Sequence, residues 1–305
     1  MKNKKIKTIL IGMGKMGFTS DFYSKEKIQT HYKALSNNKQ IELVGVLEKK
    51  DKFKLKQKVK NIKIFNSYND IKYLNFELAV VAVPTKQHYK TLKFLCQLEQ
   101  VKAIICEKPF TDKYEKAKEI FSLSKMKKIK LYTNYFRRAI PSFQKLKTFI
   151  KKKTSKKLFK INIYYSKSLM RNGCHFIDLV QYLFGKIQHV KYDKIANTTL
   201  LKISKNTVIL NLLKNKMNIN FLEISFDDKK IIIDKKTNFF EKNLINNNLI
   251  PLNKFKRSRE EMNIYQKLNL DLFLKNYLYN KKKDTISLEK NVLSTLRIIK
   301  KSNYK

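Results

Sequence analysis

Short apolar runs alternate with helical stretches along the first 135 residues of the chain. These runs are four to seven residues long and predict six strands, at 6–12, 41–47, 62–65, 78–83, 103–106 and 130–133. Apolar residues at helical spacing predict helices over about 87–99 and 113–127. Strands that alternate with helices of this length favour a doubly wound parallel sheet, so we expect an α/β domain over residues 1–132.

The pattern changes after about residue 135. A helix predicted over about 141–152 precedes residues 159–165, where apolar side chains alternate with Lys and Asn. Short strand-like segments follow at 189–192, 199–204, 207–213, 218–226 and 230–234, and helical periodicity returns over 259–280 and 288–300. This order predicts an α+β domain over 133–305, with a mostly antiparallel open sheet that is covered on one face.

The composition excludes a wholly disordered chain, and it argues against nucleic-acid binding as the reason for the high positive charge. Of 305 residues, 43% are hydrophobic, which is enough to bury a core. Lys and Arg number 68 against 24 Asp and Glu, a net charge of +44, but only six of the basic residues are Arg and the Lys residues are scattered. A nucleic-acid reader concentrates charge and uses Arg, so we expect no specific nucleic-acid partner. The charge would attract an anionic small molecule.

No apolar run reaches the length of a membrane span, and the start of the chain does not resemble a signal peptide. We therefore expect a cytoplasmic protein without a membrane partner. Three cysteines, Cys96, Cys106 and Cys174, lack the spacing of a disulfide framework or a zinc site, so no metal is expected. Cys174 adjoins a motif described below, which leaves a reactive thiol open there.

Three of the six glycines of the chain form the motif Gly12-x-Gly14-x-x-Gly17, directly after the first predicted strand. In this context Gly12 permits a tight turn, Gly14 lets a pyrophosphate approach the backbone, and Gly17 allows close packing. The motif predicts a Rossmann domain with a dinucleotide on the turn, where Lys15 and Met16 also lie.

Glu48 ends the second predicted strand, where a carboxylate can accept hydrogen bonds from a ribose. It lies 31 residues after Gly17, which requires a long first helix and approach over 18–38. The carboxylate would repel a 2′-phosphate and favour NAD, while Lys49 and Lys50 leave NADP open. A surface role for Glu48 is the alternative.

Two further motifs follow strands that end at the ligand-binding edge of such a sheet. Pro84, Thr85 and His88 come after the fourth strand and are assigned to the cofactor, although His88 can equally be a packing residue. Glu107 and Lys108 come after the fifth strand, precede a proline, and are also assigned to the cofactor. A lysine in this setting can hydrogen-bond a substrate hydroxyl.

A fourth motif, Gly173-x-His175-x-x-Asp178, opens a predicted helix that ends at Gly185. His175 can exchange a proton near neutral pH, and Asp178 lies one helical turn on, where it can orient the imidazole. A purely structural histidine is the alternative.

These four motifs in this order resemble the Gfo/Idh/MocA family, which includes glucose–fructose oxidoreductase and inositol dehydrogenase. The likeness covers the first 185 residues well and implies oxidation or reduction of a hydroxyl or ketone on a sugar, sugar acid, nucleotide sugar or cyclitol with NAD(P). It implies that Lys108 bonds the reacting oxygen, that His175 is the general acid/base, and that the Lys108–Pro109 peptide bond is cis. It also implies a homo-oligomer, a dimer or tetramer, built on the open sheet.

The chain departs from the family pattern at Arg171, where many members carry Asp. Arg171 can clamp a carboxylate or phosphate, beside Asn172. Asp21 with residues 30–34, and residues 172–175, are similar to a branch associated with the biosynthesis of surface-polysaccharide sugars. Tyr135 and Arg138 are assigned to the substrate, with a structural role as the alternative. Because the usual Lys-Asp-His set is incomplete, a catalytically lapsed dinucleotide-binding sensor or scaffold is the alternative function.

Overall fold

The computed structural model describes residues 5–49, 59, 61–154, 159–213, 220–226, 228–279 and 289–302. The chain divides into two compact units. The first unit comprises residues 1–134 together with 263–289, and the second comprises residues 135–262 together with 290–305.

Fourteen strands are present in the described part of the chain. They are β1 (Ile6–Ile11), β2 (Ile41–Leu47), β3 (Ile64–Phe65), β4 (Leu78–Val81), β5 (Ala103–Cys106), β6 (Lys130–Thr133), β7 (Phe159–Ser166), β8 (His189–Asp193), β9 (Thr198–Ile203), β10 (Asn206–Leu213), β11 (Asn220–Phe226), β12 (Lys229–Ile233), β13 (Phe239–Asn243) and β14 (Leu249–Pro251).

Eight α-helices accompany these strands among the described residues. They are α1 (His31–Ser36), α2 (Thr85–Gln97), α3 (Tyr114–Met126), α4 (Pro141–Thr154), α5 (Cys174–Phe184), α6 (Ser258–Asn263), α7 (Tyr265–Tyr279) and α8 (Glu289–Lys301). Shorter helical turns occupy Lys15–Thr19, Asn69–Ile71, Phe136–Ala139, Leu169–Gly173 and Asn253–Phe255. None of the helices in the described ranges is long and apolar enough to cross a membrane.

The first unit contains a six-stranded sheet in the order β3-β2-β1-β4-β5-β6, and every pairing in it is parallel. All four residues of β4 and of β5 are buried, because helices cover both faces of a doubly wound sheet. The predicted fold class is confirmed, and the six predicted strands form within two residues of the expected ends.

The long helix and approach expected over residues 18–38 is wrong. A single turn at Lys15–Thr19 is followed by irregular chain, and α1 has only six residues. The carboxylate of Asp21 explains the break, since it accepts hydrogen bonds from the backbone of Gln29 and from the backbone and hydroxyl of Thr30. The Thr30 side chain then caps α1 by accepting from the amide of Lys33.

The assignment of residues 133–305 to one unit also needs correction. The first boundary lies at 134/135, but residues 263–289 return to the first unit. The physical reason is burial: Leu270, Phe273 and Leu274 of α7 belong to the same hydrophobic core as strands β1, β4 and β5. Periodicity alone predicted the helix but not the sheet that it covers.

The second unit contains an eight-stranded sheet in the order β14-β13-β12-β11-β7-β10-β9-β8. Only the β7–β10 pairing is parallel, which confirms a mostly antiparallel sheet. Strands β13 and β14 were not predicted; β14 is exposed throughout and so lacks a buried face. Helix α5 is buried at every residue from Cys174 to Leu183.

Candidate active site

The glycine turn of the first unit closes so tightly that side chains are excluded at two of its positions. Gly12 has φ +98°, and a Cβ there would lie 2.8 Å from the backbone of Ala82. A Cβ on Gly17 would lie 2.0 Å from the carbonyl oxygen of Gly12. A Cβ on Gly14 would meet nothing within 4 Å, so the turn is open on the side where Gly14 lies.

The turn presents backbone amides at its start. Phe18 and Thr19 donate to the carbonyl of Gly14, and Ser20 donates to that of Lys15. The amides before Phe18 are therefore first-turn amides, which have no acceptor within their own turn. Such amides are the donors that bind phosphate groups in dinucleotide sites.

A cleft of about 500 Å³ opens beside this turn, a volume typical of ligand pockets. All of the predicted cofactor residues except Gly17 line it: Gly12, Gly14, Lys15, Met16, Glu48, Pro84, Thr85, His88, Glu107 and Lys108. Gly17 is buried within the turn. The cleft brings together the carboxyl ends of β1, β2, β4 and β5, as the topology of a parallel sheet requires.

Glu48 and Lys49 follow β2 at one part of the cleft. Glu48 Oε2 accepts a hydrogen bond from the backbone amide of Met13 at 2.8 Å, which ties the end of β2 to the glycine turn. Lys49 Nζ lies 4.9 Å from the ring centroid of Tyr68. Sequence reasoning missed Tyr68, although it follows β3 and so lies at the same edge of the sheet.

His88 is buried, and both of its ring nitrogens face backbone carbonyls. Nε2 lies 2.8 Å from the oxygen of Val83, and Nδ1 lies 2.9 Å from that of Pro109 and 3.2 Å from that of Phe110. The ring therefore joins the end of β4 to the turn that carries Lys108. This geometry favours the packing alternative for His88 over a polar contact with the cofactor.

The Glu107–Pro109 turn leads from β5, and the Lys108–Pro109 bond is cis, as predicted. Burial raises the pKa of Glu107, but the hydrogen bond and charge of His31, the charge of Lys108 and a hydrogen bond from Asn134 outweigh it, so that the pKa is lowered from 4.5 to about 2. His31 Nε2 lies 2.8 Å from Glu107 Oε1. The cleft thus has an ionised carboxylate at the base of Lys108.

The second unit holds the remaining predicted residues. His175 lies in the first turn of α5 and is 8% exposed. Its ring meets the ring of Phe136 edge-on at 5.1 Å and that of Tyr135 at 6.0 Å. Arg171 is exposed, and Asn172 Nδ2 donates to the carbonyl of Ser166 at 2.9 Å.

Tyr135 and Cys174 are buried in this unit. Burial, together with the charges of Cys174 and Asp178, raises the pKa of Tyr135 well above its usual value. The thiol of Cys174 donates to the carbonyl of Arg171. An exposed reactive thiol, the alternative left open for Cys174, is therefore not what the structure presents.

Arg138 and Asp178 form a buried, two-pronged ion pair. Arg138 Nε lies 2.7 Å from Asp178 Oδ2, and a terminal nitrogen of Arg138 lies 2.8 Å from Oδ1. Because Arg138 is 3% exposed, its guanidinium serves this pair, which favours a structural role over the predicted contact with substrate. The expectation that Asp178 orients His175 stays a prediction.

A fully parallel sheet in this strand order, with a glycine turn after β1 and a cleft at the strand ends, defines a dinucleotide-binding fold. Residues 6–135 match the model of the oxidoreductase family with an NAD-binding Rossmann fold, Gfo/Idh/MocA. The predicted family resemblance is thereby confirmed for this part of the chain, and NAD is the cofactor that the family binds.

Two curated relatives share the same segment. They are uncharacterized oxidoreductases of Schizosaccharomyces pombe, 29% and 28% identical over 130 residues. The alignment covers 41% of this chain and 32% of each relative, so the matched part is about a third of their length.

Solved structures resemble the whole chain in fold. The WlbA dehydrogenase from Bordetella pertussis, in complex with NADH and UDP-GlcNAcA, is 15% identical with a TM-score of 0.75 over 99% of this chain and 96% of its own. The dehydrogenase MviM from Clostridium difficile is 17% identical with a TM-score of 0.73 over 98% of each chain. An Agrobacterium radiobacter oxidoreductase in complex with NAD+, L-tartaric acid and magnesium is 14% identical, with a TM-score of 0.70 over 98% of this chain and 96% of its own.

The residues of the cleft fit a dinucleotide. The open space at Gly14 is where a backbone must be approached closely, and a larger side chain there would fill it. Glu48 stands at the end of β2, where a ribose is bound in this fold, and Lys108 lies at the end of β5.

The second and third glycines of the motif, Gly14 and Gly17, should respond differently to replacement by alanine. Gly17→Ala forces a methyl group into the Gly12 carbonyl, so we expect the free energy of unfolding to fall by about 1–3 kcal/mol. Gly14→Ala should leave stability nearly unchanged but raise the Kd for NADH about tenfold or more. Urea unfolding and a fluorescence titration with NADH measure the two effects; equal stability losses in both variants would contradict this account of the turn.

The charge of Glu48 should determine the preference for NAD+ over NADP+. Glu48→Gln keeps an acceptor for the Met13 amide but removes the negative charge, so the ratio of NADP+ to NAD+ affinity should rise about tenfold. Calorimetric titration with each dinucleotide measures the ratio. Glu42→Gln, an exposed carboxylate on the same strand, is the matched control and should not change it.

The lowered pKa of Glu107 should make the free energy of unfolding fall in acid. Its pKa is about 2 when folded and near 4.5 when unfolded, so its contribution of about 3 kcal/mol is fully present above pH 4.5 and is lost as the pH falls through 2. Glu107→Gln should lower stability at neutral pH and lessen its loss in acid. Urea unfolding across this range tests both, with the exposed Glu99→Gln as control.

Proposed function

We propose that this chain is an NAD-dependent oxidoreductase that transfers hydride to or from a CH–OH or ketone group of a sugar, sugar acid, nucleotide sugar or cyclitol. The observation that carries the proposal is the cleft, in which a glycine turn and Lys108 line the same volume. NAD+ supplies a hydride acceptor, and NADH a hydride donor, when bound there.

The chain's own residues bind and orient the cofactor. The first-turn amides around Lys15 hold the pyrophosphate, and the Glu48 carboxylate accepts from the ribose hydroxyls. Pro84 and Thr85, at the start of α2, shape the far wall of the cleft. His88 supports this wall from behind by tying β4 to the Lys108 turn.

Lys108 stabilises negative charge on the reacting oxygen. An ammonium in a half-buried cleft acts at lower dielectric than in water, so its attraction for a developing alkoxide is strong. The backbone amide of Lys108 donates to Glu107 Oε2 at 3.2 Å, which restricts the turn that carries the ammonium.

His175 transfers the proton of the hydroxyl group. The aromatic rings of Tyr135 and Phe136 pack against the imidazole and limit its orientation. Asn172 is held by its bond to Ser166, one turn before His175, and is assigned to the substrate with Tyr135.

An acidic sugar or nucleotide sugar is the substrate class that we favour. Arg171 is exposed and stands where many family members carry Asp, so this chain presents a cation for a carboxylate or phosphate. The net charge of +44 would draw such an anion to the protein. The WlbA dehydrogenase, similar in fold, was crystallised with a nucleotide sugar acid. A place in surface-polysaccharide sugar biosynthesis, in the cytoplasm and as a dimer or tetramer, is part of this proposal.

Two measurements test the proposed function. Native mass spectrometry of the chain purified without added ligand should show retained dinucleotide and the oligomeric mass. Absorbance at the NADH band, with NAD+ and a panel of sugars, sugar acids and nucleotide sugars, should then show reduction with an acidic member. Retained dinucleotide without turnover on any member would favour a sensor or scaffold, and the absence of dinucleotide binding would overturn the proposal.

Lys108→Met separates catalysis from binding. The ammonium is proposed to stabilise the negative charge that develops on the reacting oxygen in the transition state. In Lys108→Met, kcat should therefore fall about 100-fold or more, while the Kd for NADH changes less than about threefold. Lys90→Met removes an exposed lysine of α2 and should leave both values unchanged. An unchanged kcat in Lys108→Met would contradict the assigned role.

A further inference from the structure

A buried polar cluster of the first unit lies directly behind the turn that carries Lys108. Its members are Glu107, His31, Asn134 and Gln266, and we call it the Glu107 cluster. They come from four separate segments: the end of β5, the start of α1, the residue after β6, and α7. Gln266 lies outside residues 6–135, the part of the chain that matches the family model.

One carboxylate oxygen is the centre of the cluster. Glu107 Oε1 accepts from His31 Nε2 at 2.8 Å, from Gln266 Nε2 at 3.3 Å and from Asn134 Nδ2. Asn134 Nδ2 also donates a hydrogen bond to Gln266 Oε1 at 3.0 Å, which links the two side-chain amides. The carboxylate therefore has donors from three elements besides its own.

Burial gives these hydrogen bonds a large effect. Glu107 and His31 are each 6% exposed, and Asn134 and Gln266 are less exposed still. A carboxylate taken out of water is tolerated only where donors and opposite charge replace its hydration. Removing one donor from such a network leaves the others unable to compensate fully, because little solvent reaches these side chains.

The second carboxylate oxygen, Glu107 Oε2, links the buried cluster to the Lys108 turn at the cleft. Glu107 Oε2 accepts from the backbone amide of Lys108, and the Lys108 charge also acts on the carboxylate. Glu107 and Lys108 both line the cleft. A carboxylate fixed from behind thus sets both the turn and the field around the Lys108 ammonium.

We propose that His31 and Gln266 are positioning residues, which act through the Glu107 carboxylate to hold the Lys108 ammonium in the cleft. The catalytic value of this placement rests on the proposed function, but the placement itself does not. The helix α7 would then contribute to the site as well as to the hydrophobic core.

The test reads the reactivity of the Lys108 amine directly. Trace labelling with isotope-coded acetic anhydride, followed by peptide mapping, compares Lys108 with the exposed Lys90 of the same molecule. It is carried out on the full chain without cofactor and then with saturating NAD+. Circular dichroism and thermal unfolding of each variant show that the fold is retained.

The variants approach the carboxylate from two elements. Gln266→Met and His31→Leu each remove one donor from Glu107, so the carboxylate attracts the Lys108 ammonium more strongly. The ammonium is then drawn inward, and Lys108 labels more slowly by a factor of about three or more. His31→Gln retains an amide donor and should recover most of the wild-type rate. If either Gln266→Met or His31→Leu fails to fold, the other variant tests the same carboxylate.

Asn276→Leu is the matched control. Asn276 lies on α7, is buried, and donates to the carbonyl of Leu272 within its own helix. It loses a buried hydrogen bond like Gln266→Met does, so it shows what mere destabilisation of α7 does to Lys108. We expect the wild-type labelling rate in this variant.

The outcomes separate this inference from the proposed function. Slower labelling of Lys108 in Gln266→Met or His31→Leu, but not in Asn276→Leu, supports the positioning role. Labelling that is unchanged or faster in both, or equally slowed in Asn276→Leu, overturns it. Protection of Lys108 by NAD+ in the wild type tests the proposed function alone, since the cofactor-free rates do not depend on it.

Discussion

The contact between the backbones of Gly12 and Gly17 is the constraint on which the first unit depends. With the Gly17 Cβ position only 2.0 Å from a carbonyl oxygen, no side chain of any kind fits there. The chain can therefore leave β1, turn over β4 and return without lifting away from the sheet. This keeps the first-turn amides at the edge where the strands end. The cleft forms at that edge because all six strands of the sheet run in the same direction.

The sequence predicted the features that depend on local pattern. Buried strands such as β4 and β5 show as continuous apolar runs because both faces are covered, and the Gly12–Gly17 motif shows because its spacing reflects one turn. The motif residues then fell along one cleft, since strand order in a parallel sheet carries their ends together. Tyr68 could have been found by the same rule, applied to the short strand β3.

The parts that could not be predicted join residues far apart in the chain. Gln266 reaches Glu107 over 159 positions, and Arg138 pairs with Asp178 over 40. No local pattern distinguishes a buried, paired Arg138 from one that contacts substrate, because its neighbours in sequence are the same in both cases. The first helix failed for a local reason: Asp21 supplies acceptors to residues 29 and 30, and a side chain that binds backbone in this way competes with helix formation.

The return of α7 to the first sheet has a consequence for synthesis of the protein. Leu270, Phe273 and Leu274 complete the core beneath β1 and β4, so the nucleotide fold is left with an uncovered apolar surface until those residues have emerged from the ribosome. The whole second sheet, from β7 to β14, is translated during that interval. Part of this apolar surface therefore stays uncovered while the second sheet is being synthesised.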